Sequence, residues 1–147
     1  MITVLLVDDN GPIRKSLRSL LEKAEDVQIV ATATNGIDAV DKARSYRPDV
    51  AVMDISMPLM DGIEATEHIR ECCLVTRVII LSGLDDPGHI QRALEVGAKG
   101  YVLKDAMGED LLKAIHTIQR GGHYFTEKIA EVATEYLASK GKYNSAA

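Results

Sequence analysis

The sequence has no tryptophan, a single phenylalanine, and only two cysteines, the neighbours Cys72 and Cys73. Adjacent cysteines build no disulfide framework, so the fold cannot lean on cross-links, and the pair fits a reducing, cytoplasmic compartment. Two helix thiols, buried or half-buried, are expected ahead of redox chemistry. No apolar run approaches bilayer-spanning length, and Met1 leads straight into a strand-like segment, so neither a membrane span nor a signal peptide is expected. Basic runs are missing as well. The 17 Lys and Arg are scattered among 22 Asp and Glu, giving a net charge of −5, and nucleic acid binding by this chain itself is not expected. The histidines, His68, His89, His116 and His123, lack the spacings that make metal sites. What is present is an ordinary globular composition. With 147 residues, 46% of them apolar and 27% charged, there is enough chain for one domain with a core.

Five apolar runs of strand length recur, over 2–7, 27–31, 50–53, 77–81 and 100–103. They are apolar on both faces instead of alternating, which is the pattern of buried parallel strands. Helical spacing fills the gaps. Ile13, Leu17, Leu20, Leu21 and Ala24 make one stripe, with Asn10 as a cap and Pro12 in a tolerant first turn. A second helix starts near Asn35 and stops before Pro48. A third follows Gly62, a fourth enters at Asp86 and Pro87 and stops by Gly97, and a fifth carries Leu111, Leu112, Ile115 and Ile118 up to Gly121. Alternating strands and helices predict an α/β fold, a five-stranded parallel doubly wound sheet. A sixth apolar stripe, Phe125, Ile129, Val132, Ala133, Tyr136 and Leu137, predicts an extra C-terminal helix. It could pad the domain, serve as a linker or meet a partner. Lys140 to Ala147 read as a frayed tail.

In open parallel sheets, ligands bind beyond the carboxyl ends of the strands. At those ends stand Asp8 and Asp9, Asp54, Ser82 and Lys104. Two like charges about 4 Å apart repel by roughly 4 kcal/mol at an effective dielectric of about 20. Three grouped carboxylates therefore require a positive companion or a proton. Oxygen ligands without His or Cys point to a hard cation, and Mg²⁺ suits them better than zinc. A carboxylate can attack phosphorus to form an acyl phosphate, a reaction that asks the protein for positioning and charge stabilisation. Asp54, alone after its strand, is the candidate nucleophile. Asp8 and Asp9 suit metal holding, while Lys104 and Ser82 could stabilise the phosphoryl oxygens. For any one Asp, capping the next helix would be explanation enough; the grouping argues for a site.

Four segments carry a resemblance: Leu-Val-Asp-Asp at 6–9, Met-Asp-Ile-Ser-Met-Pro-Leu-Met-Asp-Gly at 53–62, Leu-Ser-Gly at 81–83, and Gly-Ala-Lys-Gly-Tyr-Val-Leu-Lys-Asp at 97–105. In this order, each at a strand end, they resemble the receiver domains of two-component response regulators. The resemblance implies a flavodoxin-like (CheY-like) receiver over residues 1–122, with 123–147 as linker helix and tail. It implies that Asp54 accepts a phosphoryl group from a sensor histidine kinase. Mg²⁺ would be bound by Asp9, Asp54 and the Ser56 backbone carbonyl, with Asp8 helping through water. Lys104 would pair with the phosphoryl group, Ser82 would move to bond it, and Tyr101 would be the aromatic switch that turns inward. Without that resemblance, Tyr101 reads as a strand aromatic with its hydroxyl at the surface. Pro58 and Gly62 would shape the loop after the third strand.

Many receivers carry a proline, often in a cis bond, after the lysine; here Asp105 follows. A cis bond before a non-proline residue costs about 2.5–4 kcal/mol, which leaves this loop's geometry open. Lys-Asp, together with Gly-Gly-His-Tyr-Phe at 121–125, is similar to the subfamily of transcription regulators with LuxR-type helix-turn-helix effectors. That similarity implies control of transcription through a DNA-binding domain outside this chain, and a homodimer on phosphorylation. No turnover of a separate substrate is expected. A phosphatase of the haloacid dehalogenase type would want a second Asp two residues after the nucleophile, where Ser56 stands. A receiver reduced to docking partners would not need the full acidic, hydroxyl and lysine set.

Overall fold

The computed structural model describes residues 1–141. The tail expected over 140–147 therefore falls mostly outside the described residues. The five expected strands are present as β1 (Ile2–Val7), β2 (Val27–Ala33), β3 (Val50–Met53), β4 (Arg77–Ser82) and β5 (Gly100–Leu103). A sixth, β6 (Tyr124–Phe125), is only two residues long and was not expected. All pair in parallel in the order β2-β1-β3-β4-β5-β6. Chain order reverses between β1 and β3, so their carboxyl ends flank the crevice where such sheets place a site.

Among the described residues, six α-helices cover the sheet: α1 (Gly11–Leu21), α2 (Gly36–Tyr46), α3 (Gly62–Cys72), α4 (Pro87–Glu95), α5 (Met107–Gln119) and α6 (Glu127–Ser139). Four begin with a side-chain cap. Asn10, Asn35, Asp61 and Asp86 each accept a hydrogen bond from the backbone N–H three residues on, at 2.8–3.1 Å, satisfying a donor that the first turn leaves without a partner. Pro48 ends α2 as expected. It disfavours a helical residue before it, and Arg47 adopts the left-handed region at φ 44°.

Alternate strand residues feed two cores. Val4, Leu6, Val52, Ile79, Leu81 and Val102 face α1 and α5, with Leu17, Leu21, Leu111 and Ile115 against them. Leu5, Val7, Met53, Ile80 and Tyr101 face the other way, toward α2, α3 and α4. The last segment joins this second core. Ile129, Ala133 and Leu137 of α6 are buried in the same cluster as Ile90, Ala93 and Leu94 of α4. Just ahead of α6, Thr126 is buried. Its hydroxyl accepts from the Leu103 N–H at 3.0 Å and its own N–H donates to the Tyr101 carbonyl at 3.1 Å, which fixes the last segment along the edge of β5. No described peptide bond is cis; after Lys104 the chain passes directly into one 3₁₀ turn, Lys104–Ala106.

Candidate functional site

Asp8 and Asp9 follow β1, Asp54 follows β3, Ser82 ends β4 and Lys104 follows β5. Parallel pairing in register, Val7 beside Met53 and Ser82 beside Leu103, carries all of them to one rim. One carboxylate oxygen from each of Asp8, Asp9 and Asp54 lies within 4.8 Å of the others. Asp8 is fully buried and Asp54 only 5% exposed, while Asp9 opens to solvent. Lys104 reaches over from β5, its Nζ 3.2 Å from Asp8 Oδ2 and 3.4 Å from Asp54 Oδ1.

The neighbourhood shifts both partners. Burial, then the Asp8 charge, push the Asp54 carboxyl above its ordinary value against the pull of Lys104. Burial alone would lower Lys104, but Asp54 and Asp8 together outweigh it and hold the ammonium above its usual range. One ammonium against three carboxylates leaves an uncompensated negative charge in a partly desolvated place. Asp8 Oδ1 accepts from the Asn10 N–H at 2.9 Å, whereas Asp8 Oδ2 is buried with only the Lys104 ammonium, 3.2 Å away, to meet its charge. Three carboxylates sharing one ammonium, in an oxygen-only donor set, fit a hard divalent cation.

Around this group the backbone is fixed tightly. The Asp54 N–H donates to the Val7 carbonyl at 2.9 Å and the Gly62 N–H to the Ile55 carbonyl at 2.8 Å. A Cβ on Gly62 would run into the Asp54 carbonyl oxygen, so only glycine lets α3 begin this close to the acidic loop. Ser56 lies in that loop with its side chain exposed. Arg14, which the sequence did not mark, bonds the Asp8 carbonyl through Nη1 at 2.7 Å. Its only signal is a position one turn into the helix that follows the acids.

Ser82 is buried, and its Oγ accepts from the Leu84 N–H at 3.0 Å. Tyr101 is fully buried, and its hydroxyl donates to the Leu84 carbonyl at 2.7 Å. Burial pushes the phenol up to about 12, against the pull of the Ser82 hydroxyl. The ring thus points inward and not to the surface, and one residue, Leu84, bonds both side chains through its two backbone polar groups.

A family model described as "Response regulator receiver domain" matches residues 4–116. The chain belongs to the response regulator receiver family. Among its relatives, the transcriptional regulatory protein LnrK of Bacillus subtilis (strain 168) is 36% identical over 141 residues, 95% of this chain and 64% of that protein. The oxygen regulatory protein NreC of Staphylococcus aureus is 35% identical over 144 residues, 97% of this chain and 66% of that protein. The chain thus spans just under two thirds of the length of these relatives. A crystal structure of a LuxR-family two-component response regulator from Aurantimonas sp. SI85-9A1 superposes with a TM-score of 0.86 at 33% identity, covering 92% of this chain and 97% of that one. This receiver therefore has the CheY-like fold that its motifs implied, extended by β6 and α6. Among its described residues, no helix is long and apolar enough to cross a membrane.

Proposed function

We propose that this receiver is a phosphorylation switch in which Asp54 takes a phosphoryl group from the phosphohistidine of a sensor histidine kinase. The observation that carries the reading is the buried grouping of Asp54, Asp8 and Lys104. A carboxylate oxygen of Asp54 attacks phosphorus, an O–P bond forms, and the donor's N–P bond breaks. Lys104, held charged by its two carboxylate neighbours, pairs with an equatorial phosphoryl oxygen. Asp8, Asp9, Asp54 and the Ser56 carbonyl are the residues that would hold Mg²⁺. When bound, that ion neutralises charge on the attacking and transferred groups.

The switch follows from which bonds have to be given up. Ser82 can turn toward the phosphoryl group only by releasing the Leu84 N–H, and Leu84 also holds the Tyr101 hydroxyl. A two-state loop after β4 is thereby coupled to a buried aromatic on β5, and phosphorylation favours one of its arrangements. The output is regulation of transcription through a DNA-binding domain outside this chain, with a homodimer formed on phosphorylation; α6 covers α4 and β6 the β5 edge, which favours α1 and α5 over the α4–α5 face as its surface. The transcription regulators among its relatives support this reading. The protein turns over no separate substrate; it catalyses only the gain and loss of its own phosphoryl group.

Incubation with Mg²⁺ and acetyl phosphate should add the mass of one phosphoryl group to the intact protein. Asp54→Ala should show no gain. Failure of the unaltered protein to take up phosphate from acetyl phosphate and from every kinase tried would remove the reading.

A further inference from the structure

At the end of the sheet opposite Asp54, α3 runs out at Cys72 and the chain enters β4 at Arg77. Cys72 is exposed and Cys73 buried, yet their sulfurs lie 2.7 Å apart. Cys73 has already left helical geometry, at φ −137° and ψ 73°. Burial, then its contact with the Cys72 sulfur, push the Cys73 thiol up to about 11, so at neutral pH it keeps its proton. The pair opens on a cavity of about 450 Å³ whose other lining residues are Arg44, Arg47, Leu74 and Val75. Two guanidiniums and no carboxylate line it.

We propose that Cys72 is a site of reversible S-thiolation by a carboxylate-bearing, low-molecular-mass disulfide, whose carboxylates are bound by Arg44 and Arg47. The thiolate is the attacking species in disulfide exchange, and guanidinium forks match carboxylates in geometry and charge. The same arginines oppose a divalent metal ion at the two sulfurs. The sulfurs are close enough to meet, but the backbone opposes an internal Cys72–Cys73 bridge. Consecutive Cα atoms lie about 3.8 Å apart across a trans peptide, short of the roughly 4.4–6.8 Å that disulfides span, so such a bridge would be strained and easily reduced.

The exchange balances without any further oxidant. The Cys72 thiolate attacks one sulfur of the incoming disulfide, a new S–S bond forms to Cys72, and the original S–S bond breaks. The other half departs as a thiolate and takes up the proton that Cys72 gave away. A free thiol reverses the step. The modification would place carboxylates beside Arg44 and Arg47 while leaving the phosphoacceptor rim untouched.

The test compares oxidised glutathione, which carries carboxylates, with cystamine, which carries ammonium groups. Adduct formation is followed by intact mass and located by peptide mapping. The glutathione adduct is expected on Cys72, to be absent in Cys72→Ser and to persist in Cys73→Ser. The ratio of glutathione to cystamine rates should fall several-fold in Arg44→Gln/Arg47→Gln and be largely kept in Arg44→Lys/Arg47→Lys, with circular dichroism confirming that each variant is folded. A ratio indifferent to both arginines would overturn the proposal. So would an adduct on Cys73, or an internal bridge, seen as the loss of two hydrogens, as the end product.

Discussion

Tyr101 carries a titration that can be read from outside the site. Its phenol is fully buried and pushed up to about 12, whereas in the unfolded chain it returns to about 10. An acid with a higher pKa when folded keeps its proton longer in the folded state, so stability is intact below the unfolded value and falls as pH climbs toward the folded one. Lys104, also raised, loses its stabilising charge in the same direction, and so does Tyr124, pushed up to about 12 by burial and by Asp110. Urea unfolding followed from neutral pH to about pH 12 should show a decline beginning near pH 10, shallower in Tyr101→Phe but not abolished. Equal slopes for the two proteins would mean that the phenol is not held where the structure has it. The orientation of this ring was not legible from its place in a strand, since a period of two leaves a choice of faces that only packing resolves. Asp8, Asp9, Asp54 and Lys104 were legible, because each is a polar residue directly after an unbroken apolar run. Arg14 and Thr126 were not, because their partners are backbone groups, the Asp8 carbonyl and the Leu103 N–H, and a backbone partner leaves no mark in the sequence.

The strands whose limits could be read were those buried on both faces. Strands β1, β3 and β5 have the expected limits, since an apolar run ends where the chain leaves the core. Strand β2 runs two residues further, to Ala33, because Thr32 pairs with Leu6 although it is polar. The pair β6 is too short to carry a period at all. The apolar stripe of α6 showed a helix but not its partner; the fold places that stripe on α4, with Lys128 bonding Asp85 across the gap at 2.9 Å. This packing has a measurable weight. Leu137 is 2% exposed, and Leu137→Ala should cost about 2–5 kcal/mol in urea unfolding. Thr126→Ala should cost about 1–3 kcal/mol by leaving the buried Leu103 N–H without an acceptor. If α6 were only a tether, neither change would move the unfolding midpoint.

Across the whole molecule the grouped carboxylates stand at one rim of the sheet, and the destabilisation there is a property of the assembled fold. Unfolded, Asp54 is separated by solvent from the adjacent Asp8 and Asp9; folded, the three converge, and burial and the Asp8 charge hold the Asp54 carboxyl above its ordinary value. The metal-free protein should therefore lose stability as pH rises through the folded value of Asp54, where the folded state has been holding more protons than the unfolded one. A divalent cation that binds only the folded rim reverses this loss. By mass action Mg²⁺ at 100 times its dissociation constant adds about 2.7 kcal/mol. Thermal melts at neutral pH should show a midpoint that climbs with Mg²⁺, while an equal ionic strength of monovalent salt gives little rise. In Asp54→Asn the metal-free midpoint should equal or exceed that of the unaltered protein, because a repelled charge has been removed, and the Mg²⁺ response should largely disappear. Should Asp54→Asn be less stable without metal and keep its full Mg²⁺ response, Asp54 would be a structural carboxylate and the divalent ion would bind elsewhere.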